Sequence, residues 1–355
     1  MLFKSNAVLG ARFSVIWLRG LAFLGALGFL ALTFVNASWL ADNPRGHLRL
    51  IANGGISQQY TPSGRTSSCP AQAILPPLHD YIADTARSVQ MARRMGADLV
   101  TLDVVRTADD ALVLYPDAAL DCRSNGKGSL SAQSLAAIQA LDPGYGYTAD
   151  GGKTFPLRGN ARNTIPTLDE VIEADPRGRY FFRLVADDAQ GARVLVAKLK
   201  AMGRDPVATE DGFSAGPAAL AVIRAAWPKS WAFDPAQAAA CTSAYRTSGW
   251  TGLLPASCKG STMIAPLDAT FTLWGWPNLT VNRMTATGGQ VLAVRSGTGA
   301  GLLHARDLPS VPITFRGHVM VDDYWTVGPA LRPALDKRTN AEALAAQERD
   351  DASTD

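Results

Sequence analysis

The chain is poor in charge, and the charge it has is nearly balanced. Of 355 residues only 18% are Asp, Glu, Lys or Arg, and the formal net charge is +3. It shows no basic stripe of the kind a nucleic-acid backbone demands, so nucleic acid is set aside as a partner. Histidine is scarce: His47, His79, His304 and His318 are the only ones. None is spaced with carboxylates as a metal site requires. The four cysteines include no Cys-x-x-Cys pair and have no clustered histidines beside them, which argues against zinc. No Gly-x-Gly-x-x-Gly follows the first strand-like run, which weakens a dinucleotide site, and no Gly-x-Ser-x-Gly marks a serine hydrolase. There is no internal repeat.

A long apolar run is present. Lys4, Arg12 and Arg19 precede an uncharged stretch from Gly20 to Leu40. A bilayer-spanning helix needs about 20 apolar residues and a signal-peptide core roughly 7–15, and this run falls between. Val35-Asn36-Ala37 offers small residues for cleavage after Ala37. The run therefore reads as an uncleaved anchor or a cleaved signal; a buried core helix is the bland alternative, disfavoured because no face is polar. Both export readings keep the basic residues in the cytoplasm. The remainder would stand in the periplasm or extracytoplasmic space, tethered to the inner membrane, or secreted if cleaved. Residues 1–45 thus form the anchor or signal with a polar linker (41–48), 46–331 a single large domain, and 332–355 a polar tail with one loose helix (341–349) and a disordered end.

Cys69, Cys122, Cys241 and Cys258 all lie in the exported part. Four cysteines allow three connectivities, with four free buried thiols as the alternative. Cys241 and Cys258 flank a Gly/Pro-rich turn and are paired here, which leaves Cys69–Cys122.

Strand-like runs at 48–53, 98–105, 111–115, 180–186, 230–234, 263–267, 290–294 and 318–322 alternate with helical patterns at 84–95, 131–141, 168–174, 189–202, 220–226 and 235–248. Thr167 caps the helix from Leu168, with Glu170 at capping-box spacing. This alternation predicts an α/β fold with a parallel sheet closed as a (β/α)8 TIM barrel; an open doubly wound sheet is the runner-up.

Five ordered segments resemble the glycerophosphodiester phosphodiesterases, over about residues 48–330. Leu50–Gly55 is similar to that family's Ala-His-Arg-Gly opening, and Ile82-Ala83-Asp84-Thr85 to its Glu-Asn-Thr helix start. Gly96–Val104 is similar to its Gly-Ala-Asp…Glu-Leu-Asp-Val strand, Leu112–Asp117 to the strand ending in His-Asp, and Ile165–Val171 to its Ile-Pro-Thr-Leu-Glu-Glu-Val segment. Residues 121–130, 144–159 and 274–278, with the four cysteines, resemble one bacterial branch. The resemblance implies the barrel and a metal-assisted hydrolysis of phosphodiesters, in which two histidines move protons and acidic residues hold Mg or Ca.

The departures fall on that machinery. Asn53 stands for the first histidine, Gly54 for the adjacent arginine, Ala83 for the helix-start glutamate and Thr101 for the glutamate of the metal pair. Asp103 alone remains of that pair, Pro116 replaces the second histidine, and the next strand carries Arg183 and Val185. The resemblance thus implies a degenerate enzyme: no cofactor, and Asn53, Asp103 and Arg183 as ligand-binding positions. The alternative for Asp103 is a lone carboxylate at a barrel-strand end, solvated or hydrogen-bonded. Arg183 is expected to pair with Asp103 at an ion-pair distance of ~4 Å in place of the cation; it could equally present its fork to a phosphate, or reach into solvent. Asp117 reads as a turn or cap residue, and the histidines as packing or surface residues. Trp250, Trp274 and Trp276 suit loop packing or a carbohydrate or lipid headgroup. The leading function is a membrane-tethered binding or scaffold module for a phosphodiester, lipid headgroup or partner protein. The alternatives are an active hydrolase with a rearranged site that releases glycerol phosphate, and an unrelated hydrolase.

Overall fold

The computed structural model describes residues 5–295 and 301–352. Helix α1 (Ser5–Val35) stands apart from the body; from Trp17 to Val35 it is apolar and unburied, and it is the one described helix long and apolar enough to cross a membrane. Strand β1 (Arg49–Ala52) leads through a loop with the short α2 (Pro62–Arg65) to α3 (Ala86–Arg94), β2 (Leu99–Arg106) and β3 (Leu112–Leu114). Next come α4 (Leu135–Gln139), α5 (Leu168–Ala174), β4 (Tyr180–Leu184), α6 (Ala189–Ala201), β5 (Gly212–Ser214), α7 (Pro217–Ala226), β6 (Trp231–Phe233) and α8 (Pro235–Ser248). The body ends with β7 (Thr262–Pro266), α9 (Asn278–Thr285), β8 (Gln290–Val294), β9 (His318–Val321), α10 (Tyr324–Leu331) and α11 (Asn340–Ala352).

The sheet runs β6-β5-β4-β2-β1-β9-β8-β7, all parallel, with β3 added antiparallel to β2. This is a nearly closed eight-stranded barrel. No ladder joins β6 to β7 among the described residues, but the Trp231 indole N–H donates to Thr262 Oγ1 across that seam at 2.9 Å. Strand alternation sends Ile51, Leu99, Phe181, Phe233, Leu292 and Met320 into the barrel interior. Their sequence neighbours Leu50, Val100, Phe182, Val291 and Val319 face outward, against helix residues such as Val89, Leu195 and Ile223. The helices start where the sequence supplies caps. Thr167 and Glu170 form the expected capping box, and Asp188 and Asp234 accept from backbone N–H groups of α6 and α8.

Several expectations shift. The helix expected from Asp84 begins at Ala86, because Thr85 is the N-cap and Asp84 takes a left-handed φ of 61°. Strand β5 escapes the sequence reading because its three residues hold one large apolar side chain. It exists through its neighbours, and a Cβ on Gly212 would come within 2.5 Å of the Phe181 ring. Helix α10 escapes because burial on every side erases its periodicity and Pro329 sits inside it. The tail helix is not loose: Ala346 is buried, Arg349 pairs with Asp323, and Asp350 meets His304 at 2.7 Å. Nor is 41–48 a free linker, since Asn43 Oδ1 and the Asp42 carbonyl accept from the Asn278 and Asn282 side chains. Both disulfides are present, Cys69–Cys122 and Cys241–Cys258.

Candidate binding site at the barrel mouth

The carboxyl ends of β1, β2, β4 and β9 place Asn53, Asp103, Arg183 and Asp322 around one opening. Ser57, Gln58, Gln59, Tyr60 and Arg65 from the long loop after β1 close it, with Pro116 and Arg123 from the loop after β3. The Cys69–Cys122 disulfide joins these two loops. The cavity at this opening is about 150 Å³.

Asp103 and Arg183 are register partners on adjacent parallel strands, so their side chains leave the sheet on the same face. The guanidinium forks onto the carboxylate, Nε to Oδ1 and NH2 to Oδ2, each at 2.5 Å. Asp103 is 1% exposed, whereas the Arg183 side chain is 38% exposed and borders the cavity. Desolvation would lower the Arg183 pKa, but the Asp103 charge and fork outweigh it, so it is raised. Of the three expectations for Arg183, the geometry is that of the ion pair.

Asp84, on the tight turn before α3, packs under this pair. Its Oδ1 accepts from the Asp103 backbone N–H at 3.0 Å, and its Oδ2 is buried with no partner. Burial, then the neighbouring Asp103 charge, push its pKa well up. Across the opening, Asp322 Oδ1 accepts from the Asn53 side chain at 2.9 Å, and its Oδ2 lies 3.6 Å from Arg65. Asn53 Oδ1 is buried and unpartnered. Burial lowers the Arg65 pKa despite Asp322.

The other expected positions separate. Gly54 has φ 67°, and a Cβ there would meet the Ala83 Cβ at 3.0 Å, so these two positions fit each other closely. Thr101 is buried inside the barrel, its hydroxyl directed at the Met320 sulfur. Val185 packs beside the cluster of Val105, Val113 and Tyr115. Asp117 is not a turn cap: it accepts from the buried Arg123 at 2.7 Å, and Arg123 also donates to the Tyr60 and Tyr147 hydroxyls. None of the four histidines lines the mouth. His79 lies against Trp325 and Tyr81, and burial, then Arg349, hold its pKa down at about 3. His318 is stacked on Trp231 at the opposite, amino end of the barrel. His304 pairs with Asp350, and His47 is exposed.

Sequence reasoning missed Asp322, Asp84, Arg65 and Gln59 as mouth residues. Asp322 was legible as the last residue of the β9 run; the others depend on how the long loop folds back.

These donors do not fit a divalent cation. Both Asp103 oxygens are taken by Arg183, Asp322 is shared between Asn53 and Arg65, and Asp84 is buried with one oxygen on the Asp103 backbone N–H. No group of three or more His, Cys, Asp or Glu side chains suited to a metal occurs among the described residues. What the mouth can do is present Arg65 and Arg183 to an anionic group small enough for its cavity.

Residues 78–190 match the Glycerophosphoryl diester phosphodiesterase family. An uncharacterized protein of Mycobacterium tuberculosis is 29% identical over 129 residues, which is 36% of this chain and 42% of that protein. The glycerophosphodiester phosphodiesterase of Bacillus subtilis is 32% identical over 92 residues, 25% of this chain and 30% of that one. The chain thus spans less than half the length of these curated relatives. The solved phosphodiesterase domain of the Mycobacterium tuberculosis protein superposes with a TM-score of 0.55 at 16% identity, over 81% of this chain and 99% of that domain. An Oleispira antarctica phosphodiesterase in complex with its product sn-glycerol-3-phosphate superposes with a TM-score of 0.51 at 18% identity, over 80% of this chain and 96% of that chain.

Proposed function

We propose that this chain, which carries a glycerophosphoryl diester phosphodiesterase family domain, is a membrane-tethered barrel that binds a phosphate-bearing headgroup at its mouth without cleaving it. The observation that carries this reading is the Arg183–Asp103 fork, which engages the one remaining carboxylate of the family's metal pair. A fixed positive side chain keeps the charge balance a cation would give, but it brings no bound water and no open coordination position. Asn53 and Pro116 supply no proton carrier that titrates near neutrality. What remains is recognition: Arg65 and Arg183 offer charge, the Asn53 amide nitrogen offers its second N–H, and 150 Å³ holds a headgroup but not an acyl chain.

Tethering is supported by the way α1 meets the barrel. Ala37, after which a signal would be cut, is buried. The residues on either side of it, Asn36 and Ser38, are hydrogen-bonded to Trp250 and Asn278.

One observation favours a second reading, an active hydrolase with a rearranged site: Asp84 is a buried carboxyl at the mouth with an unpartnered Oδ2, and burial and Asp103 push its pKa up, the direction a general acid requires. A single experiment separates the two. The purified chain is incubated with glycerophosphodiesters and calcium or magnesium, and released glycerol phosphate is measured beside the calorimetric binding of glycerol phosphate. Binding that is lost in Arg65→Ala, with no turnover, supports the first reading. Turnover abolished by Asp84→Asn establishes the second.

A further inference from the structure

The joint between α1 and the barrel is built as a clasp. A helix ends with four carbonyls that lack intrahelical partners, and a cation there also meets the negative end of the helix dipole. Arg283, on α9, fills that role: its NH2 donates to the Val35 carbonyl at 3.1 Å and its NH1 to Asn36 Oδ1 at 3.3 Å. The same guanidinium also donates to the Tyr245 hydroxyl at 2.8 Å, which ties the helix end to α8. The Asn36 side chain donates to the Trp250 carbonyl at 2.8 Å, and the Asn278 backbone N–H donates to Ser38 Oγ at 2.9 Å. A Cβ on Gly252 would strike Val35 Cγ1 at 2.8 Å, so that loop lies directly against the last turn of the helix.

Around this clasp the surface turns apolar and aromatic. Trp39 is 77% exposed and Leu253 is 73% exposed. Leu40, Trp250 and Trp274 are exposed as well, and Trp274 reaches back to the Arg246 carbonyl at the foot of α8. Such side chains in one patch on a soluble face call for an occupant. The polypeptide itself names it. They flank the point where a helix of membrane-spanning length leaves the apolar phase, and tryptophan is the residue type that settles at the lipid–water boundary.

We infer that the α8–α9 flank of the barrel, with Trp39, Leu40, Trp250, Leu253 and Trp274, rests in the headgroup region of the bilayer that α1 crosses. The inference rests on the tethered reading above and deepens it: the barrel is seated on the membrane in one orientation instead of swinging on a linker, so its mouth is presented at a constant height and angle.

The test uses the full chain in phospholipid nanodiscs that contain lipids brominated near the headgroup, with tryptophan fluorescence as readout. Trp17 lies in α1, so W17F is the starting chain. Co-elution with the discs reports the tether; quenching reports the seating. The quenched fraction is expected to fall several-fold in W17F/W39F/W250F/W274F. Two gain-of-signal chains guard against misfolding of that variant. Leu253→Trp in the W17F chain should add quenched emission. Val207→Trp should not, because Val207 follows α6 and β4, across the barrel from β8. Co-elution with unchanged quenching in W17F/W39F/W250F/W274F, or equal quenching at 253 and 207, overturns the seating and leaves the tether standing. Failure to co-elute overturns both.

Discussion

Two bidentate Arg–Asp pairs are built into this barrel, one at each end, and they differ in how completely they are satisfied. At the amino end, Arg204 and Asp211 are 4% and 0% exposed. Arg204 also donates to the Pro176 and Gly178 carbonyls, and Asp211 also accepts from the Thr209 hydroxyl and the Tyr180 backbone N–H. Every group is paired with protein, so this pair holds the ends of β4 and β5 together. At the mouth, Arg183 and Asp103 make the same fork, but Arg183 borders a cavity and the adjoining Asp84 and Asn53 each keep a buried oxygen without a partner. The same ion-pair chemistry therefore serves as a staple where its surroundings are closed and as a recognition surface where they are left open.

Removing one partner from each pair is the strongest way to break that comparison. Arg204→Ala strands a carboxylate with no access to water and should cost about 3–5 kcal/mol. Arg183→Ala leaves Asp103 beside a cavity that water can enter, and about 1–3 kcal/mol is expected. Urea unfolding of the two variants measures the gap. Equal losses would mean that the mouth pair is also a staple.

The two disulfides sharpen the same contrast between ends. Cys69–Cys122 closes 53 residues and joins the mouth loops, and Cys241–Cys258 closes 17 and ties α8 to the approach to β7. By loop-closure entropy their removal as Cys→Ser pairs should cost about 4 and about 3 kcal/mol respectively. The first should also abolish glycerol phosphate binding and the second should not, as unfolding curves and calorimetry will tell.

The smallest expected effect is on the acid limb of stability. Burial, then the nearby Arg49 and His47 charges, hold His318 down at about 3 against its ordinary 6.5. A depressed histidine contributes stability that is complete above pH 6.5 and is lost as pH falls towards 3. At pH 5 that loss is about 2 kcal/mol. Asp323 works the other way: burial raises it to about 6, so its contribution weakens as pH rises from about 4 to 6. In His318→Phe, which keeps an aromatic ring against Trp231, the fall in urea-unfolding stability between pH 7 and pH 5 should be smaller by about 2 kcal/mol. An unchanged fall would show that His318 does not carry the acid limb.

Much of the barrel was legible because its signals are local. Thr167 and Glu170 announce α5, the 180–186 run announces β4, and Lys198 and Lys200 end α6 with its expected bounds nearly intact. The Asp103–Arg183 pair was legible through the family resemblance, whose pattern aims both positions into one site; the structure adds that they are register partners on the adjacent parallel strands β2 and β4. Strand β5 and helix α10 were not, since their identity lies in what surrounds them. Asp84, Arg65 and Gln59 could not be assigned to the mouth, because nothing in a polar loop states which way it folds back.

By itself the sequence determined the alternation of strands and helices and the apolar N-terminal run, which depend on residue type and spacing along the chain; the substituted histidine and metal positions were legible only through the family resemblance, and the cysteine pairing was one choice among three connectivities. Only the tertiary structure decided that the end of α1 is clasped by Arg283, that the tail is docked through Arg349, that Asp322 faces Asn53, and that Asp84 is buried against Asp103 with its pKa pushed up. Each of these is a meeting of groups far apart in the chain, and the energy of such a meeting depends on burial and on the partner's charge, which exist only once the barrel has closed.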